Sequence, residues 1–167
     1  MDRRGRHAFF AQQYTLYLPR VLNYVRLRVD DEALAQDLTT QAFERALSHL
    51  DTLRDKEAFG GWLFRIARNV VAGHYRRQRG LVSLDRVVDQ PSADPPVESE
   101  IVQGQALNAL RDVLGTLSER EQEIIRLRFV AGLTNRAIGK AMGLRAGNVG
   151  VILYRALRKL RGKLEDA

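Results

Sequence analysis

From residue 58 to residue 84 the chain carries five arginines, Arg65, Arg68, Arg76, Arg77 and Arg79, and no acid. Phe59, Trp62, Leu63, Ile66, Ala67, Val70 and Val71 in the same stretch follow the i, i+3, i+4 spacing of a buried helical face. Arg65, Arg68, Arg76 and Arg79 then fall on the opposite side. One helix thus buries one face and offers a cationic stripe on the other. Such a stripe suits the holding of a polyanion rather than covalent chemistry. Trp62, on the apolar side, belongs by position to the core rather than to a base-stacking surface. A second candidate lies in "LTNRAIGKAMGLRAGNVGVILYRALRKLRGKL", where two helical halves meet at Gly143. Gly139 offers a small residue at the crossing, and Ile138, Met142, Leu144, Val149 and Leu153 can lock the halves together. A helix-turn-helix that places its second helix in a major groove needs these features. Arg145 and Asn148 are the polar side chains of the second helix's first turn, suited to guanine and adenine edges respectively. Arg155, Arg158, Lys159, Arg161 and Lys163 form a basic tail, with Arg155 and Arg158 placed to hold phosphates.

Nothing comparable points to catalysis. His7, His49 and His74 are far apart, without metal-ligand or triad spacing, and there is no phosphate-binding G-x-x-x-x-G-K-[ST] loop. Gly60-Gly61 fits a close helix approach better than a nucleotide cradle. The expectation is a binding protein with no catalytic residue, metal or cofactor.

The positioning elements follow from composition and patterning. The 167 residues suffice for one mid-sized or two small domains, and the absence of cysteine suits a reducing cytoplasm. No apolar run is long enough for a membrane span or a signal peptide. The net charge of +7 is unevenly spread: residues 85–100 hold one base and five acids between two basic blocks. That stretch also holds three of the four prolines, which marks a flexible linker. The expected organisation is a helical domain over 1–80, an acidic linker over 81–100 and a second helical domain over 101–167.

The first block reads as three helices. The first runs from about His7 to Val29, with Pro19 expected to kink or split it. The second runs from a cap at Asp30-Asp31 to about Leu50, and the third carries the arginine stripe. The second block reads as four: Ile101 to Leu114; a helix opened by the capping box Ser118–Glu121 and running to Val130; a Thr134-capped helix to Met142; and a last helix from about Ala146 to Leu164. The fold class is all-α, in two small domains.

"DDEALAQDLTTQAFERALSHL", "FGGWLFRIARNVVAGHYRRQR" and "LSEREQEIIRLRFVAGLTNRAIGKAMG" occur in this order. Together they resemble the region 2 helices and region 4 of RNA polymerase sigma factors of the extracytoplasmic-function type, in the sigma-70 family. The resemblance covers nearly the whole chain. It implies promoter DNA and core RNA polymerase as partners, the latter through its β′ coiled coil and β flap, and an anti-sigma factor of the kind members often have. By resemblance, Asp37, Thr40, Gln41 and Glu44 meet the β′ coiled coil. Leu53 and Arg54 of "DTLRDKEAF", with Arg65, Arg68, Asn69, Arg76 and Arg77, hold the single-stranded −10 element. Thr134, Arg136 and Tyr154, with Arg145, Asn148, Arg155 and Arg158, meet the −35 duplex. The chain departs from the usual pattern in three places. Thr40-Gln41 replaces Gln-Glu, Gly150 and Ile152 stand where Lys and Arg are common, and Gly73 replaces an Asp. The alternative is a stand-alone helix-turn-helix regulator with an all-α N-terminal domain and a LuxR-like region. It gives no reason for the arginine stripe.

Overall fold

The computed structural model describes residues 2–81 and 98–166, with side chains described over 2–80 and 104–166. The described residues are helical, without a strand, and the chain divides into two compact units, Met1–Pro95 and Pro96–Ala167. The linker expected over 81–100 falls mainly outside the described residues. None of the described helices is long and apolar enough to cross a membrane.

In the first unit, α1 (Arg3–Arg26) begins earlier than the apolar pattern indicates, because the Asp2 carboxylate accepts from the Gly5 N–H at 2.8 Å. Pro19 does not split it. A mid-helix proline costs about 3 kcal/mol. The turn just beyond it buries Val21, Tyr24 and Val25, at roughly 1.5–3 kcal/mol per large apolar side chain, which outweighs the lost hydrogen bond. Asp31 caps α2 (Glu32–Ser48) through the Ala33 N–H. The Arg26 Nε bonds both Glu32 carboxylate oxygens, at 2.9 and 3.1 Å, across the α1–α2 turn. That hydrogen bond holds the Glu32 carboxyl below its ordinary pKa. Two short 3₁₀ turns, Leu50–Thr52 and Lys56–Ala58, lead into α3 (Phe59–Leu81).

The core of this unit is Tyr24, Leu38, Phe43, Phe59, Leu63, Phe64, Val70 and Val71 with small residues between them. Here the sequence reading of α3 is corrected. Phe64 is fully buried, edge-on to Tyr24 at 5.6 Å, whereas Trp62 is only half-buried. Because α3 packs on both α1 and α2, its buried face is wider than one stripe and takes in Phe64. Trp62 is left at the margin against Phe59. Gly60 serves close approach: a Cβ there would lie 2.5 Å from the Tyr17 hydroxyl.

The second unit opens with α4 (Glu98–Leu114). The capping box at α5 (Glu119–Ile125) is complete, since the Ser118 Oγ accepts from the Glu121 N–H and the Glu121 carboxylate accepts from the Ser118 N–H. The expected continuation to Val130 exists, but as a π turn over Arg126–Val130, with the Ala131 N–H donating to the Arg126 carbonyl at 3.0 Å. Thr134 caps α6 (Asn135–Met142) through the Ala137 N–H. Gly143 then takes a left-handed φ of 70°, and α7 (Ala146–Glu165) follows. Leu114, Leu117, Ile124, Leu127, Ile138, Val149, Leu153 and Ala156 form the core.

Candidate nucleic-acid interface

The turn between α6 and α7 is tight because Gly139 has no side chain. A Cβ there would sit 2.5 Å from the Leu144 carbonyl oxygen, so the backbone of the turn crosses α6 where a methyl group would stand. Val149, Leu153 and Ala156 then face inward from α7. Arg145, Asn148, Val151, Tyr154, Arg155 and Arg158 face solvent. Arg145 occupies the N-cap position of α7 without capping it through its side chain. The Arg158 guanidinium lies over the Tyr154 ring, 6.0 Å from its centroid. Thr134 and Arg136 are exposed at the start of α6, and the Thr134 Oγ, although it accepts from Ala137, keeps its own proton to donate.

The basic tail sorts into two kinds. The Lys159 ammonium bonds both oxygens of Glu121 at 3.0 Å, tying α7 to α5. That contact, reinforced by the Ser118 N–H, holds the Glu121 carboxyl below its ordinary pKa despite burial. Arg161 pairs with Glu165 one turn on. Lys159 and Arg161 are therefore engaged within the chain. Among the described residues Arg136, Arg145, Arg155 and Arg158 join no ion pair. Arg126 is the contrasting case, buried and bonded to Glu123 and Gln122.

In the first unit Arg65, Asn69, Arg76 and Arg77 are exposed on α3, and Arg68 is half-buried. Arg65, Arg76 and Arg77 likewise join no ion pair among the described residues. Half-buried Leu53 and exposed Arg54 lie between the two 3₁₀ turns, on the connection that leads into α3. Trp62, at the margin of the core, precedes Arg65 by one turn and is within reach of that surface. Both candidate surfaces thus combine a helix with exposed arginines that join no ion pair among the described residues, Arg65, Arg76 and Arg77 on the one and Arg155 and Arg158 on the other, an arrangement suited to phosphate backbones.

A third surface lies on α2. Asp37, Thr40 and Glu44 are exposed and Gln41 is half-buried, with the Gln41 amide bonded to Asp37 at 3.0 Å. Beside them is a feature that helix-by-helix reading missed. Phe10, Tyr14, Leu18, Phe43 and Leu47 line an open depression of about 210 Å³ between α1 and α2, with Thr40 and Glu44 on its wall. Tyr14 is 41% and Leu47 47% exposed there. Each helix pattern assigns these side chains to a core. The signal that could have found the depression was the excess of apolar residues over what three packed helices can cover. No group of three or more metal-ligating side chains is placed to hold an ion among the described residues.

Residues 13–80 match Sigma-70 region 2, and residues 113–162 match Sigma-70, region 4. The chain is 34% identical over 160 residues to the ECF RNA polymerase sigma factor BldN of Streptomyces coelicolor, covering 94% of this chain and 61% of that protein. It thus spans about three fifths of that relative's length. It is 24% identical over 174 residues to the ECF RNA polymerase sigma factor SigW of Bacillus subtilis, covering 98% of this chain and 93% of that protein. The fold matches the sigma factor RpoE of Bartonella quintana, solved with the anti-sigma factor NepR, with a TM-score of 0.71 at 23% identity over 93% of this chain and 96% of that one.

Proposed function

The chain belongs to the sigma-70 family of RNA polymerase sigma factors, in its extracytoplasmic-function type, and from that premise we propose that it binds core RNA polymerase in the cytoplasm and directs it to promoters. In this reading the unit containing α1–α3 attaches to the β′ coiled coil and captures the melted −10 strand. The unit containing α4–α7 meets the β flap and reads the −35 duplex. The observation that carries it is the sorting of the cations. Arginines and lysines that hold the fold are paired, as Arg26, Arg126 and Lys159 are, while Arg65, Arg76 and Arg77 on α3 and Arg155 and Arg158 on α7 have no ion-pair partner among the described residues. Similarity in the first unit as well as the second counts against a stand-alone helix-turn-helix regulator.

The division of labour follows from geometry. Arg65, Arg76 and Arg77 attract the backbone of an unpaired strand, and half-buried Trp62 and Leu53 give its bases apolar surface. Arg155 and Arg158 hold phosphates across a groove, while Arg145 and Asn148 reach the base edges beside the α7 N-terminus, favouring a guanine next to an adenine. Core attachment does not depend on the acid missing at Gln41. The depression lined by Tyr14 and Leu47 supplies apolar area, and Asp37 and Glu44 supply charge at its edge. An anti-sigma factor of the kind bound to the Bartonella protein would silence the chain by covering one of these surfaces.

Pull-down of core RNA polymerase tests the proposal. The full chain is expected to retain core enzyme. Leu47→Asp, at a largely exposed side chain, is expected to lose it with a circular dichroism spectrum and melting curve close to those of the unaltered protein. No retention by the unaltered chain would contradict the reading.

A further inference from the structure

The outward arc of α7 has an apolar centre. At about 100° per residue, Gly147, Val151, Arg155 and Arg158 fall within roughly 80° of one another, with Asn148 at the edge. Val151, in the middle, is 47% exposed. Nothing in the fold calls for this pair of choices. A Cβ at Gly147 would meet no atom within 4 Å, so internal packing does not require glycine there, and glycine is a poor helix former. An exposed β-branched valine likewise adds little to an isolated helix. Gly150 differs, since a Cβ there would contact the Asn135 side chain at 3.6 Å. Gly147 and Val151 therefore leave a smooth, apolar window, one turn long, where the helix can come close to another surface.

On the major-groove edge of duplex DNA every base presents hydrogen-bonding groups, and thymine alone adds an apolar one, its C5 methyl. We infer that Val151 packs on the C5 methyl group of a thymine in the −35 element, with Gly147 giving the room for that approach. This rests on the reading of α7 as the helix that enters the groove. It places a thymine, on either strand, beside the bases within reach of Asn148, and it makes Val151 a specificity-determining residue although it can form no side-chain hydrogen bond.

The experiment uses holoenzyme, and a promoter that it selects from a library randomised upstream. Each thymine of the −35 region, on each strand, is replaced singly by deoxyuridine, which removes only the methyl group. The unaltered holoenzyme is expected to lose about three- to fivefold in promoter binding at one position, the scale of one buried methyl group. Val151→Ala, an exposed site whose melting curve should not move, is expected to bind the thymine and uracil promoters alike. Footprinting keeps the two claims apart. Protection of the −35 region with equal tolerance of uracil everywhere, or a Val151→Ala holoenzyme that keeps the full uracil penalty, overturns the methyl contact alone. Absence of any upstream protection overturns the helix assignment and the contact together.

Discussion

Gly139 and Gly73 show how much a single missing side chain can decide. At Gly139 the obstacle to a methyl group is the Leu144 carbonyl of the turn, 2.5 Å away, which cannot swing aside. Gly139→Ala should therefore destabilise the protein by about 1–3 kcal/mol although alanine is the better helix former, a loss read from denaturant unfolding. At Gly73 the nearest atoms are instead the free ends of two long side chains, Arg77 Nη1 at 3.4 Å and Arg76 Nη2 at 3.7 Å. An aspartate, common at this position in the resemblance, would be gripped by both guanidinium groups. Glycine leaves both guanidinium groups without that partner, available to the nucleic acid of the proposed function. Gly73→Asp is expected to fold normally and to bind −10 single strand about three- to tenfold more weakly. Its salt dependence should be shallower by about 0.7 in log–log slope for each phosphate that is no longer neutralised. An unchanged affinity and slope in a fluorescence titration would remove Arg76 and Arg77 from the strand path.

At the scale of elements, helix starts were legible because a cap is written in two or three adjacent residues. Asp31, Ser118 and Thr134 each accept the backbone N–H that their position implies. Features set by tertiary packing were not legible. The split that Pro19 could have caused was overruled by burial of the turn after it, and Phe64 displaced Trp62 because α3 meets two neighbours. The π turn after α5 left no local mark, since one extra residue per turn is a matter of how Arg126 and Leu127 are both drawn inward. Of the candidate site, the outward arginines were legible from helical spacing. The depression between α1 and α2 and the engagement of Lys159 were not, because each depends on residues distant in the chain. The Glu121–Lys159 contact also makes a prediction for α5 and α7. Hydrogen bonding from Lys159 and Ser118 lowers the Glu121 pKa below 4.5, so its stabilisation is complete above that pH and is lost as pH falls through the lowered value. Glu121→Gln should lower the melting temperature at pH 7, and the gap from the unaltered protein should close below about pH 4.5. A gap that stays constant down to pH 3 would mean that the carboxylate charge has no part in joining the two helices.

For the whole molecule, the +7 charge and the two basic blocks suit a polyanionic partner, and membership of the sigma-70 family supplies the context for the proposed use of that charge. One recognition helix with a few base contacts gives weak selectivity, because phosphate contacts carry most of the affinity and no sequence information. In the proposed function, two units that each read DNA weakly become selective when a common scaffold holds both. The most direct test is footprinting of a selected promoter with the chain alone, core RNA polymerase alone and the two combined, with permanganate reporting unpaired thymines. The account predicts protection of the −35 region and reactive −10 thymines only in the combined sample. Tight, sequence-specific protection by the chain alone, unchanged when core enzyme is added, would contradict it.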